Sequence, residues 1–381
     1  MQPPSLSPNS NTAADPAADR AACKALLSQG SRTFYAASFL LPQRIRESAS
    51  SLYAFCRLAD DAIDLSADPA KALSDLNERL ALAYAGQPLP SAADRAFAEV
   101  VARVQMPRAL PAALLEGFAW DAAARRYETL EDLTGYAARV AGTVGAMMTV
   151  LMGVRDPEAL ARACDLGVAM QFSNIARDVG EDARAKRLYL PLNWLREAGI
   201  DADLWLDNPT FTPALGRVVA RLLAHAETLY ERAEAGIALL PRSCRPGINA
   251  ARVLYAEIGR EVARAGCDSV TARARVSGSR KIAVLTRALA QSARLRRRAP
   301  MEALAACQFL VASIEAGTSG AAPHARAQAL GLGTPPWWNL HGRVVWVIDL
   351  FERLERLERY AHASEFEAQA RRRAPGMASL T

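Results

Sequence analysis

QFSNIARDVGEDARAKRLYLP, residues 171–191, is the stretch whose reading decides the fold. Taken as a helix to about Asp182, it sets Gln171, Asn174, Asp178 and Asp182 three or four residues apart, on one polar face. The run leading into it, CDLGVAMQF, is too apolar for a surface helix, so the helix is expected inside the protein with its carboxylates aimed at something. Buried carboxylates are costly unless they are paired or bind metal. A partner lies upstream in SSLYAFCRLADDAID, residues 50–64, where Tyr53, Arg57, Asp60 or Asp61, and Asp64 again share a helical stripe. Two such helices facing each other across a cavity offer oxygen ligands from both walls.

Working outward, the 381 residues suffice for one large domain or two smaller ones, and 51% hydrophobic residues mark a globular chain. A net charge of +6 favours anionic partners: nucleic acid, acidic lipid or phosphorylated small molecules. No known reading motif accompanies the charge, so nucleic acid is not an expected partner. The six cysteines include no CxxC pair and read as free thiols of a reducing, cytoplasmic setting. The start of the chain lacks the basic end and apolar run of a signal peptide. The longest uncharged stretch, residues 140–154, is shorter than the ~20 residues of a membrane span and reads as a core helix.

Residues 1–18, rich in Pro, Ser, Asn and Ala, are expected to be a tail, with helical patterning from about Arg20. GSRTFYAASFLLP follows, where Ser31, Arg32 and Thr33 form either an anion-binding corner or an ordinary helix start. Helices are expected from Pro69 to about Gly86 and from Arg95 to Val104. The next, ALPAALLEGFAWDAAARRY, carries Asp121 and Arg125 one turn apart. TLEDLTGY has the form of a capping box. In AARVAGTVGAMMTVLMGV, Gly142 and Gly145 allow close approach of a backbone or ligand chain, and Met147, Met148 and Met152 make a deformable apolar wall. Two long helices follow at 211–240 and 248–265, and strand-like alternation is nearly absent, so the class is all-α. Residues 276–298 are Arg-rich, as in a solvated basic helix or one attracted to an anionic membrane. Beyond Pro300 a Gly/Ala/Pro-rich connector precedes an amphipathic stripe of Val344, Val347, Ile348, Phe351, Leu354 and Leu357. The expected division is a tail at 1–18, a single helical domain at 19–298 and an extension with an amphipathic helix at 299–381.

Each acidic motif has the form DxxxD, and such pairs hold hard cations, Mg²⁺ in particular, which keeps water and shares substrate phosphate oxygens. The absence of HxxxH or a Cys cluster argues against zinc. Arg57, Arg177, Lys186 and Arg187 supply the cations that neutralise a diphosphate.

YAFCRLADDAID, followed by RVAGTVGAMM and NIARDVGEDARAKRLYLP, closely resembles the squalene/phytoene synthase family, bacterial phytoene synthases above all, from roughly residue 21 to 298. The resemblance implies an all-α isoprenoid-synthase fold with a central apolar cavity and the acidic helices at its mouth. It implies metal binding, Mg²⁺ or Mn²⁺, at Asp60, Asp64, Asn174, Asp178 and Asp182. Diphosphate and substrate contacts carry over to Ser31, Arg32, Thr33, Tyr53, Arg57, Gln171, Arg177 and Tyr255, with Arg187 and Lys281 behind them. Where relatives often have an aromatic residue two before the Val of VAG, this chain has Ala138, so no tyrosine role transfers there. The implied reaction is head-to-head condensation of two geranylgeranyl diphosphates to phytoene, the first committed step of carotenoid biosynthesis, without NADPH. The rival is a squalene, hydroxysqualene or dehydrosqualene synthase acting on farnesyl diphosphate. Association with other carotenoid enzymes and peripheral contact with the cytoplasmic membrane are further expectations.

Overall fold

In chain order the helices are α1 (Pro16–Gly30), α2 (Gln43–Asp64), α3 (Pro69–Tyr84), α4 (Ala92–Val104), α5 (Ala109–Ala122), α6 (Leu130–Ala137), α7 (Thr143–Leu151) and α8 (Pro157–Arg184). They continue as α9 (Leu192–Glu197), α10 (Ala202–Asp207), α11 (Pro213–Ile237), α12 (Arg245–Arg264), α13 (Gly278–Ser292) and α14 (Gln308–Ala316). The computed structural model describes residues 15–30, 35, 37–64, 66–292, 295, 296 and 298–316, and among the described residues there is no strand.

The stretch that opened the reading forms the second half of α8. Asp156 caps α8, its carboxylate accepting from Ala159 N at 2.9 Å, and Pro157 occupies the first turn, where its missing N–H costs nothing. At 28 residues the helix is about 42 Å long. It touches α7, α11, α12 and α14 and is buried along most of its length. The central position therefore follows from its apolar composition, as expected.

Glycine decides how closely its neighbours approach. A Cβ on Gly167 would strike the Ala141 carbonyl, and one on Gly145 would strike the Ala163 carbonyl. The two contacts are reciprocal and hold α8 backbone to backbone against α7 and the turn before it. Gly142, by contrast, faces Cys307 Sγ and Leu310 across ordinary contact distances of 3.7 Å. That turn, Ala138–Gly142, winds as one turn of π-helix, a local widening common where helices build functional sites. The capping box is present at Thr129 and Asp132. All six cysteines are free thiols.

Several boundaries differ from the sequence reading. α1 begins at Pro16, inside the expected tail, because Asp15 accepts from Ala17 N at 2.8 Å and Asp19 is buried against Arg95, Nε to Oδ2 at 2.8 Å. α5 ends at Ala122, and Ala124 adopts φ 47°, so Asp121 and Arg125 are not a helical pair. Arg125 stacks on Trp120 at 3.9 Å instead, while Asp121 accepts from Tyr136 and Tyr189, each at 2.8 Å. The body also runs past residue 298: Cys307, Leu310 and Ile314 are buried in the main core, and Glu302 O accepts from Arg162 at 2.9 Å. The amphipathic stripe at 344–357 lies outside the described residues.

Candidate active site

A cavity of about 310 Å³ runs alongside α8. α2 contributes Ala49, Leu52, Tyr53 and Cys56 to its wall, and α8 lines it from Ala159 to Asn174. α11 and α12 close the other side, with Tyr255 on α12. The wall is apolar apart from Tyr53, Thr149, Arg162, Gln171, Asn174 and Tyr255. Met148 and Met152 belong to it, but Met147 turns into the solid core, fully buried, and leaves the expected methionine wall. Burial pushes the Cys56 thiol up to about 12, so it stands in the cavity as a neutral group and not a nucleophile.

Tyr53, Gln171, Asn174 and Tyr255, expected as site residues from spacing and resemblance, are thus brought together at one end. One turn further along each helix the charged groups begin. On α2, Arg57 spans two carboxylates, reaching Asp60 at 3.3 Å and Asp61 at 2.7 Å, and these groups are over a third exposed. On α8, Arg177 holds Asp178 with two hydrogen bonds, Nε to Oδ1 at 2.7 Å and Nη2 to Oδ2 at 2.5 Å. Burial works against the charge of Arg177, yet bonding to Asp178 outweighs it and raises its pKa. Asp182, one turn beyond, is pushed up to about 7, first by burial and then by the Asp178 charge, with Arg187 pulling the other way. Burial also raises the Tyr53 phenol, against the pull of Arg57.

A residue the sequence reading did not single out completes this end. Arg273 sits in the loop between α12 and α13, and its guanidinium reaches Asp178, Nε to Oδ1 at 2.8 Å, and Glu181 at 3.3 Å. The loop is set by Gly180, whose N–H donates to Ser269 O at 3.0 Å and where a Cβ would press on the Val270 backbone. Arg273 lies just before the Arg-rich stretch at 276–298, and nothing in helical spacing ties it to Asp178. Lys186 corrects in the other direction: past the end of α8, at φ 58°, it turns away and binds Leu206 O at 2.9 Å and Asp207 at 3.2 Å. Arg187 stays near Asp182, its N–H donating to Asp182 O at 2.8 Å. Lys281 stands in the first turn of α13. Ser31, Arg32 and Thr33 lie outside the described residues, as does the side chain of Asp64, the last residue of α2.

The donors on the two acidic helices, Asp60, Asn174, Asp178 and Asp182, are all oxygen, which suits a hard cation and not zinc. No group of three or more His, Cys, Asp or Glu side chains is already gathered around one point among the described residues. Both carboxylate oxygens of Asp178 are held by guanidinium groups, so an arriving cation would share or displace them.

A model of the family described as squalene/phytoene synthase matches residues 27–280. The chain belongs to the squalene/phytoene synthase family. Among curated squalene/phytoene synthase family members it is 56% identical over 268 residues to the phytoene synthase of Rhodobacter capsulatus, covering 70% of this chain and 79% of that one. The phytoene synthase of Cereibacter sphaeroides is 52% identical over 275 residues, covering 70% and 78%. Of solved structures, a dehydrosqualene synthase in complex with ligand superposes with TM-score 0.67 at 31% identity, covering 74% of this chain and 100% of that one. A squalene synthase from Alicyclobacillus acidocaldarius gives 0.61 at 26%, covering 66% and 95%. The all-α isoprenoid-synthase fold of this family is thereby shown, and with it a prenyltransferase.

Proposed function

We propose that this prenyltransferase joins two geranylgeranyl diphosphates head to head, by way of prephytoene diphosphate, to give phytoene and two diphosphates. The observation that carries the reading is the juxtaposition of an apolar cavity with a mouth of carboxylates and arginines, in a chain 52–56% identical to phytoene synthases. Such a site separates charge: the anion leaves at the polar mouth while the carbocation stays in a dry channel.

Arg57, Arg177 and Arg273 neutralise the diphosphate, as guanidinium groups do through forked hydrogen bonds. A divalent cation, Mg²⁺ or Mn²⁺, would be held by Asp60, Asp64, Asn174, Asp178 and Asp182 and would supply further charge to the leaving group. Tyr53, Gln171 and Tyr255, where the cavity wall turns polar, orient the carbon next to the diphosphate. The apolar walls exclude water that would quench the allylic cation before the double bond of the second substrate attacks it. No side chain acts as nucleophile, and the neutral Cys56 thiol is consistent with that. Loss of a proton closes the cyclopropyl ring of the intermediate, and loss of its remaining diphosphate, rearrangement and loss of a second proton complete the sequence. The reaction calls for no NADPH.

Incubation with geranylgeranyl or farnesyl diphosphate, with and without NADPH, followed by product analysis, tests the reading. A C40 hydrocarbon from the C20 substrate without reductant is expected, and recovery of squalene alone would overturn it. No helix among the described residues is long and apolar enough to cross a membrane. The apolar product and the basic segment around α13 support peripheral membrane contact and a place beside other carotenoid enzymes. Flotation with acidic and neutral liposomes tests the contact, and failure to bind either rejects it.

A further inference from the structure

The end of the cavity away from the acidic mouth holds a residue that the chemistry of the mouth does not use. Arg162 lines it on α8, only 1% exposed. Its Nη2 donates to Glu302 O at 2.9 Å, and Nε lies 3.2 Å from Asp165 Oδ2 and 3.6 Å from Glu158 Oε1. Nε lacks hydrogen-bond geometry to either carboxylate, and Nη1 has no hydrogen-bond partner. Arg232 fixes the same two anchors, binding Asp165 at 3.0 Å and Glu302 O at 2.7 Å. A Cβ on Gly236 of α11 would collide with the Arg162 stem. The arginine is therefore wedged between two helices and clamped by a segment that follows the family-matched residues 27–280. Burying a charge is costly unless it is paired and fully hydrogen-bonded, and here Asp165 pairs with it while Nη1 is left without a hydrogen bond.

The distances suggest what it is for. Arg162 and Asn174 are twelve residues apart on a continuous helix, about 18 Å at 1.5 Å per residue. With C–C bonds near 1.5 Å, an extended chain advances about 1.3 Å per bond, so a C20 prenyl tail, sixteen carbons along its main chain, spans about 19 Å, and a C15 tail about 14 Å. A C20 tail whose first carbon lies level with Asn174 ends at Arg162. A C15 tail stops one isoprene unit short, level with Ala163 and Leu166.

We propose that Arg162, braced by Asp165, Arg232 and the Glu302 carbonyl, is the end wall that selects the C20 prenyl chain. The inference rests on the prenyl diphosphate reading above. It assigns chain-length specificity to the far end of the cavity and gives residues 301–316 a part in it, through the carbonyl that holds the arginine in place.

Two variants of the full-length protein move the wall in opposite directions. Ala163→Leu fills the space above it, and Arg162→Lys keeps the charge opposite Asp165 but gives up the fork that reaches Glu302. The measurement is kcat/KM for farnesyl, geranylgeranyl and geranylfarnesyl (C25) diphosphates, with helicity and Tm recorded for each protein. Losing contact with terminal carbons in an apolar pocket changes selectivity by about tenfold or more. Ala163→Leu is expected to lower the C20-to-C15 ratio by about that factor, and Arg162→Lys to raise the C25-to-C20 ratio similarly. A folded variant of either kind with the wild-type ratios overturns the end wall. A wild-type protein inactive on all three substrates overturns the prenyl diphosphate substrates proposed above, and the end wall with them.

Discussion

The two acidic helices carry similar strings and live in different surroundings. On α8, Asp178 is only 17% exposed and is gripped by Arg177 and Arg273, while Asp182 beyond it is buried enough to hold a proton near neutrality. On α2, Asp60 and Asp61 share one half-exposed arginine, Arg57. The α8 wall is therefore preorganised and desolvated, and the α2 wall is soft. Electrostatic work on a leaving group is strongest where the groups are fixed and dry, because they need no reorganisation when charge develops. Under the proposed function, α8 would provide the fixed part of the leaving-group site and α2 the more exposed part.

The sharpest way to break this contrast is at Asp178. Asp178→Ala is expected to lower kcat by at least about a thousandfold, beyond the ~10²–10³ typical of removing one fixed electrostatic group, because it also strands two arginines. Circular dichroism should show unchanged helicity, and near-normal turnover would place the chemistry elsewhere. Arg273→Ala comes next. Taking away one of two guanidinium groups on Asp178 should cost about 10- to 100-fold in kcat, with a smaller change in KM, if Arg273 serves the departing diphosphate. A change in Tm with no change in kcat would make it a structural brace only.

Asp182 gives a pH signature. Its native pKa of about 7 lies above the ordinary 3.8, so between those values the folded protein holds a proton that the unfolded chain has lost. The metal-free protein should lose stability as pH rises from about 4 to about 7, then level off. Asp182→Asn should flatten that dependence in denaturant titrations, and an unchanged slope would show that the carboxyl titrates normally. The smallest effect is expected at Asp61→Asn. An exposed i,i+4 pair with Arg57 contributes a few tenths of a kcal/mol, so Tm should hardly move and kcat should stay within about threefold.

Much of this was readable before any coordinates. The spacing of Gln171, Asn174, Asp178 and Asp182 placed them on one face, and the apolar run before them placed the helix inside, because both follow from local periodicity. Gly145 announced a close backbone approach for the same reason. The ends of elements were less legible. Ala122 has no feature that stops a helix, and Asp121 is held by Tyr136 and Tyr189, contacts that helical spacing does not announce. Lys186 and Arg187 are neighbours in sequence, yet the helix end at Ala185 sends one outward and keeps the other near Asp182. Arg273 and Arg162 acquire their roles only through contacts 95 and 140 residues away in sequence, beyond any periodic pattern.

The most direct test of the central claim, that both acidic helices serve one metal-diphosphate site, is calorimetric titration of inorganic diphosphate with and without Mg²⁺. Wild-type protein, Asp60→Ala and Asp178→Ala should be compared side by side. Mg²⁺-dependent binding to the wild type, lost or weakened at least about tenfold in each variant, is the predicted result. Equal Mg²⁺-dependent affinity in the wild type and either variant would contradict it.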